Sequence, residues 1–446
     1  MSPLALAGVG MAAAGIARQL FVLSAVVRSR RFLRSGAAEE SGRSIREATP
    51  PRFFVVVPVL REGALLRSVV THLRALASGH AAQVIVVTTA REEAEAHLHG
   101  GASGTVALAR DLARAGECVH LHYPDPRGVK GDQLNHAAAW CATELPPSVP
   151  SSQAFVVCYD ADSRPPLGSL ACFERAIAAN AAADVFHQSS WFEFRALDHP
   201  HAGPRRLRQA VCEAGALRAN RFVLGFEIPR LMNRSSQANS PKTAACACVY
   251  AHVTGHGLCV RLSLLERLPF PARSPLEDMH YSFILASRGL PMIPIASLDR
   301  AEVPDSVRAQ LEQAARWFFG PARIARYLKD PRVRRGWRSW VLAASALGSA
   351  AEWLGCALVP AVVLALLLTG NGPLVAAAAA FASICAAQVV LTEIWLGAPG
   401  PLPRRAARVL AFPLACTVHG AGGAVGAARM LAGGHGSGKT ERGARP

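Results

Sequence analysis

Short unbroken apolar runs alternate with amphipathic segments between Phe53 and Tyr159. Phe53–Leu60, Gln83–Thr89, Cys118–His122 and Ala154–Tyr159 read as strands. Most are β-branched or aromatic with little polar alternation, as expected of parallel strands covered on both faces. Between them, Gly63–Leu76, Glu92–His99, Val106–Ala115 and Asp132–Cys141 show helical spacing. Strand–helix alternation predicts an α/β fold built on a doubly wound sheet. Ligands of such sheets bind outside the carboxyl ends of the strands. Residues 180–300 mix short strands and helices, and 222–245, rich in Phe, Gly, Pro, Asn and Ser, read as loop.

Longer apolar stretches lie near both ends. Leu4–Val27, interrupted by Arg18, is long enough to span a bilayer, with a cleaved signal peptide as the alternative. Three more follow at about Val341–Leu368, Pro373–Leu396 and Val409–Leu431, the first two joined by the turn Thr369-Gly370-Asn371-Gly372. The third is Gly-rich and contains His419. Counted as a full span it sends the basic tail outside, so either it does not fully cross or the positive-inside rule fails here. Pro321–Trp340 reads as one or two basic interfacial helices with a break at Pro331. The expected organisation is an N-terminal transmembrane segment with a basic flank (1–34), a linker (35–51), a cytosolic domain (52–320), interfacial helices (321–340), transmembrane helices (341–432) and a basic tail (433–446). This describes a multi-pass protein of a bacterial-type plasma membrane with its α/β domain in the cytoplasm.

Composition sharpens this picture. Hydrophobic residues make up 51% of the 446, and the formal net charge is +17. The basic residues cluster beside apolar segments: Arg28, Arg30, Arg31 and Arg34, then Arg332, Arg334, Arg335 and Arg338, then Arg404, Arg405 and Arg408. That placement favours contact with anionic membrane lipids and cytoplasmic retention over nucleic-acid binding. The 11 cysteines show no paired zinc-type spacing, Cys246-x-Cys248 being too tight, and fit a reduced, cytosol-facing domain.

Three motifs carry chemistry. Asp160-Ala161-Asp162 directly follows a buried strand. Two carboxylates there can share a divalent cation, Mg²⁺ or Mn²⁺, that bridges to a nucleotide diphosphate, with Asp160 also placed to hold the ribose. Without the strand before it, the same triplet would read as a solvated loop. Glu277-Asp278 opens a helical stretch, where one carboxylate can act as general base on an acceptor hydroxyl or simply cap the helix. Gln313, Arg316 and Trp317 fall at i, i+3, i+4 of a helix predicted over Ser306–Phe319. There Arg316 can pair with phosphate and Trp317 can stack on a sugar, or the face can pack into the core. Two further patterns have weaker support. Gly433–Thr440 fits a phosphate-binding loop but lacks the flanking strand and helix. The aromatic window of His187, Trp191 and Phe194 suits a sugar site or a core strand equally.

In this order the motifs resemble those of the membrane-integrated family-2 inverting glycosyltransferases, which include cellulose, chitin and hyaluronan synthases and the ceramide glucosyltransferases. Val55-Val56-Val57-Pro58 with Arg61-Glu62 resembles the family's opening strand and its Asn-Glu pair. Lys130–Asn135 resembles the Lys…Leu-Asn segment near the donor diphosphate. Gly255-His256-Gly257 with Arg261 resembles the glycine turn before the acceptor region, and Gln313–Trp317 matches Q-x-x-R-W. The resemblance covers about residues 52–325 and the membrane pattern. It implies a glycosyltransferase A-type fold, an inverting transferase and a nucleotide-sugar donor, most simply a UDP-sugar. Pro58, Glu62, Lys130, Asp160 and Asp162 would bind the donor, Asp160 and Asp162 the metal, Glu277 and Asp278 would be catalytic, and Gln313, Arg316 and Trp317 would serve the acceptor and diphosphate. The acceptor is a glycan, or a lipid in a single-addition enzyme, or the fold is kept without catalysis. The chain departs from the family at Thr88-Thr89, where an Asp is usual, at Arg61 for Asn, and in its small membrane part.

Overall fold

The computed structural model describes residues 3–39, 50–96, 104–194, 204–237 and 255–433. Helix α1 (Pro3–Glu39) leads into β1 (Arg52–Pro58), α2 (Gly63–Ala77), β2 (Ala82–Thr89), α3 (Ala90–Ala94), α4 (Thr105–Arg114), β3 (Val119–Tyr123), α5 (Lys130–Thr143), β4 (Ala154–Cys158) and α6 (Ser169–Ala179). The expected alternation is present. The helix expected over Glu92–His99 starts earlier, as α3, and residues 97–99 lie outside the described residues. The chain continues through β5 (Val185–His187), β6 (Ser190–Glu193), α7 (Pro204–Phe222), a π-helical turn (Val223–Glu227), α8 (Ile228–Gln237), β7 (Leu258–Arg261), α9 (Leu262–Arg267), α10 (Glu277–Ser287), β8 (Ile293–Pro294) and β9 (Asp299–Glu302). The C-terminal part is helical: α11 (Val307–Ala322), α12 (Ile324–Tyr327), α13 (Trp337–Gly355), α14 (Val359–Leu368), α15 (Gly372–Leu396) and α16 (Leu402–Leu431).

Seven strands form a mixed sheet in the order β3-β2-β1-β4-β7-β5-β8, and β6 and β9 form a small parallel pair. β1 pairs in parallel with β2 on one side and with β4 on the other. The chain therefore reverses its direction of travel between β1 and β4, and that switch point opens a crevice at their carboxyl ends. β7 is antiparallel to both β4 and β5, so the sheet is not wholly parallel. Along β1, Phe53, Val55 and Val57 face one core with α2, α4 and α6, while Phe54 and Val56 face a second core with α5, α9, α10 and α13.

Much of the segment 222–245 is not loop. It is helical through Gln237, and residues 238–245 lie outside the described residues. Gly225 sits in the π turn where α1 crosses, and a Cβ there would stand 2.9 Å from Val22 Cγ1. The glycine that suggested a loop is instead a close-packing position. The segment Val341–Leu368 is likewise not one helix. It breaks at Cys356–Leu358 with Pro360 in the first turn of α14, where proline's missing N–H costs nothing. α15 and α16 are each long and apolar enough to cross a membrane, and α13 with α14, bent by 61°, makes a third candidate as a broken span or re-entrant loop.

Helix α16 also docks on the domain through its glycines. A Cβ on Gly422 would lie 2.6 Å from Ala314 Cβ, and one on Gly426 2.5 Å from the Ala315 carbonyl. The glycine-rich face thus lets α16 approach the α11 backbone. The basic run at its start is not simply a lipid-facing flank. Arg404 pairs with Glu213 at 2.8 Å, Arg405 with Glu393 at 3.2 Å, and buried Arg408 with both Glu213 and Glu393. These ion pairs join α7, α15 and α16.

Candidate active site

Four elements converge at the switch point. Pro58 ends β1. Tyr159 N–H donates to Val56 O on the β4 side and Val59 N–H to Val87 O on the β2 side, so the donor Pro58 lacks is one that would have faced β4. The β1–β4 register stops at Val56–Cys158, and the chain of β4 passes directly into Asp160-Ala161-Asp162. Opposite, the first residue of α5, Lys130, donates from Nζ to Asp160 Oδ1 at 2.6 Å and to the Gly255 carbonyl at 2.8 Å, and lies 3.7 Å from Glu277 Oε1. Gly131 makes this approach possible, because a Cβ there would press on Pro271 O at 3.0 Å and on Glu277 Cβ at 3.1 Å. Gly255 lies in the centre, and a Cβ on it would meet Lys130 Nζ, Glu277 Oε1 and Asp278 Oδ2 at 2.8–3.3 Å.

The rest of the Lys130–Asn135 segment braces the crevice. Buried Gln133 donates to the carbonyls of Val59 and Val87 and ties the ends of β1 and β2 together. Asn135 exchanges two hydrogen bonds with the Phe270 backbone and anchors the loop that leads to α10. At the start of α10 the two carboxylates differ. Glu277 is buried, and burial pushes its pKa up to about 7 against the pull of Lys130. Asp278 is half-exposed and accepts the Met279 N–H at 2.7 Å. Although burial alone would lower it, the Asp160 and Glu277 carboxylates hold the Lys130 pKa above its ordinary value, so it stays charged.

His256 and Asp299 complete the site, and Asp299 was not among the residues singled out from the sequence. Asp299 is fully buried. Its Oδ1 accepts the Arg164 N–H at 2.9 Å and its Oδ2 faces His256 Nδ1 at 3.1 Å. Burial pulls the imidazole down, but the Asp299 hydrogen bond and the charges of Asp299, Asp160 and Asp162 outweigh it and lift the pKa to about 9. His256 is therefore a cation facing the D-x-D. The following Gly257 has φ +68° and packs on the Gln188 carbonyl, which excludes a side chain. The glycine spacing flagged this turn, but nothing local in the sequence links it to Asp299, 43 residues on.

Other expected residues lie elsewhere. Glu62 occupies the N-cap position of α2 without a side-chain cap, and its N–H donates to Thr105 Oγ1. Arg61 adopts φ +57°, a left-handed conformation that asparagine tolerates better than arginine. Thr88 is buried against His120 Nε2 (2.7 Å) and His122 Nδ1 (2.9 Å), while Thr89 caps α3. Gln313 and Trp317 line a crevice between α7, α11 and α16, and Arg316 is not among its lining residues. His187 is fully buried against Glu227, and Trp191 donates to the Leu396 carbonyl at 2.7 Å, so both serve packing rather than the D-x-D crevice. Residues 434–440 of the phosphate-loop pattern lie outside the described residues.

Residues 226–392 match the model of glycosyl transferase family group 2. The chain carries a glycosyltransferase family 2-like segment. It includes His256, Glu277, Asp278 and Gln313–Trp317 but begins after Lys130 and the D-x-D. No curated protein matches the chain. Among solved structures, it is similar to the mannosyltransferase PcManGT from Pyrobaculum calidifontis in complex with GDP-Man and Mn²⁺. The identity is 18% and the TM-score 0.44, over 87% of this chain and 99% of that one. It is also similar to glucosyl-3-phosphoglycerate synthase from Mycobacterium tuberculosis in complex with Mn²⁺, UDP and glucosyl-3-phosphoglycerate. There the identity is 17% and the TM-score 0.31, over 57% and 71% of the two chains.

Proposed function

We propose that the protein is a membrane-bound inverting glycosyltransferase that moves a sugar from a nucleotide-diphosphate donor to a glycan acceptor. The observation that carries this reading is the convergence of Asp160, Lys130, Glu277, Asp278 and the Gly255 backbone at the switch point of the sheet. The family match over Glu277–Trp317 supports it.

The donor set fits a divalent cation. Asp160 and Asp162 offer hard oxygen ligands at the carboxyl end of β4. Around them, Lys130 meets Asp160 and Glu277, and His256 meets Asp299. Asp160 and Asp162 would hold a hard divalent cation, whose ligands are oxygens. Mg²⁺ or Mn²⁺ held there would offset charge on the departing diphosphate.

The side chains divide the other tasks. Asp278 is the more exposed carboxylate and sits in the first turn of α10, where the helix dipole favours negative charge. It accepts the proton of the acceptor hydroxyl. The hydroxyl oxygen then bonds to the anomeric carbon on the face opposite the diphosphate, whose bond to that carbon breaks with inversion. Glu277 shares its charge with Lys130 and fixes the ammonium beside Asp160. Lys130 and His256 supply positive charge toward the phosphates, and Trp317 offers the acceptor a stacking face. Apolar side chains exposed on α13 and α14, with Trp337 and Trp340 at 61% and 67% exposure, suit the lipid boundary. A single transfer to a lipid acceptor is the second reading, favoured by the apolar helix α16 as one wall of the Trp317 crevice.

Detergent-purified protein incubated with a panel of nucleotide sugars and Mg²⁺ or Mn²⁺ should release nucleotide diphosphate from one donor. Asp278→Asn should cut that release about 10²–10⁴-fold with donor binding retained. Unchanged turnover in the variant would remove Asp278 from the role of base.

A further inference from the structure

Among the described residues, the crevice between α7, α11 and α16 is lined by several donors and by no carboxylate. It is a narrow cleft of about 20 Å³ that opens to solvent, and Arg218, Gln313, Trp317 and His419 are among its walls. Among the described residues no carboxylate and no hydrogen-bond acceptor is paired with the Arg218 guanidinium, and the Gln313 amide and Trp317 indole N–H have no partner either. Arg221, one turn further along α7, gives the contrast: Gln388 accepts from it at 2.9 and 2.6 Å and Gln19 at 3.3 Å. Burial holds both guanidinium groups below their usual value, so what separates Arg218 from Arg221 is the missing acceptor.

The walls are built rather than incidental. Gln310 donates to the carbonyls of Cys212 and Pro304, both at 3.0 Å, and folds over Gly215, where a side chain would block it. His419 stacks on Trp353 at 4.2 Å and 14°, and Trp353 Nε1 donates to the His419 carbonyl. A guanidinium fork with an amide and an indole N–H beside it matches an anion with several oxygens.

We propose that this crevice binds a phosphate group carried by the acceptor, with Arg218 as its ion-pair partner and Gln313 and Trp317 as further donors. This rests on the transferase reading for the word acceptor, but the anion site itself does not. The acceptor class is thereby narrowed to phosphorylated molecules, whether the phosphate is on a lipid headgroup or on a soluble sugar or polyol.

The test uses the full chain in phosphatidylcholine nanodiscs, without donor. Calorimetric titration with glycerol 1-phosphate, and with glycerol as the neutral control, reads the soluble source. Native mass spectrometry of protein from discs doped with phosphatidic acid, and with diacylglycerol as the neutral control, reads the lipid source as a phosphate monoester bound over the bulk phosphatidylcholine. Saturable binding in either arm, absent for the neutral control, is expected. Arg218→Met should weaken it about 10- to 100-fold, and Arg218→Lys, which keeps the charge without the fork, should weaken it less. Thermal melts with each variant establish that it is folded. Equal binding by the wild type and a folded Arg218→Met, or no preference for phosphate over the neutral control in both arms, would overturn the proposal. Because donor is omitted, a failure of every nucleotide sugar to release diphosphate would sink the transferase reading and leave this inference standing.

Discussion

Two charge clusters in this protein pair acids with bases and come out differently. Where α7, α15 and α16 meet, three guanidinium groups surround Glu213 and Glu393, and each carboxylate is met by two of them. At the switch point of the sheet, Lys130 lies between Asp160 and Glu277, with Asp162 and Asp278 close by. The first cluster is closed in the sense that, among the described residues, each acid has two guanidinium partners drawn from a neighbouring helix. The second is the open one: its acids gather around one ammonium and one imidazolium at the carboxyl end of β4, where the Asp160 side chain is 37% exposed. Ion pairs that link three helices hold those helices together. Acids at a strand-end crevice meet solvent, where a cation and a substrate can reach them.

The largest effect expected from this contrast is on stability at the closed cluster. Arg408 is 2% exposed and lies between both carboxylates. Arg408→Met leaves two buried acids short of a partner, and loss of one member of such a network costs about 3–5 kcal/mol. Denaturation in detergent should show a loss of that order. A change below about 1 kcal/mol would mean that the cluster is solvated and that the contrast with the sheet-end site is false.

At the open cluster the measurable quantity is pH. The His256 pKa is about 9 in the folded chain against an ordinary 6.5. The folded state therefore holds the proton more tightly than the unfolded one. The resulting stability is complete below pH 6.5 and is lost as pH rises through 9. The wild type should lose up to about 3 kcal/mol between pH 6 and 10 that His256→Gln does not lose. Parallel stability curves for the two proteins would show that Asp299 and the D-x-D do not hold a proton on His256.

The sequence made some of this visible and hid the rest for identifiable reasons. β1, β2 and β4 were legible because strands buried on both faces leave almost unbroken apolar runs, and the D-x-D followed one of them directly. Glu277-Asp278 could be placed at a helix start from the pattern behind it. β7, with four residues, and β5 and β8, with three and two, are too short to show a period. Arg404, Arg405 and Arg408 looked like a lipid-facing flank because their partners lie on helices far away in the chain. Residues 222–237 looked like loop because glycine at a helix crossing and glycine in a turn are the same letter. The pairing of His256 with Asp299 is a tertiary fact, and the local signal was only the two glycines around the histidine.

The smallest effect sits in the turn that follows β1. Arg61 holds φ +57° directly after β1, while its N–H donates to Glu92 Oε2 at 2.8 Å and its guanidinium lies 3.8 Å from Glu95. A left-handed conformation costs an ordinary side chain about 1–2 kcal/mol, and asparagine relieves part of that through its short polar side chain. Arg61→Asn keeps the backbone hydrogen bond and gives up a long ion pair worth roughly 0–1 kcal/mol. The net expectation is a gain of about 0.5 kcal/mol, read as a small rise in melting temperature. Strain retained beside a binding crevice has a function only if relieving it changes binding. The informative measurement is therefore donor affinity in Arg61→Asn alongside its melting curve. A more stable variant with unchanged affinity would show that the strain is incidental. A more stable variant that binds donor more weakly would place Arg61 among the residues that shape the open cluster for its ligand.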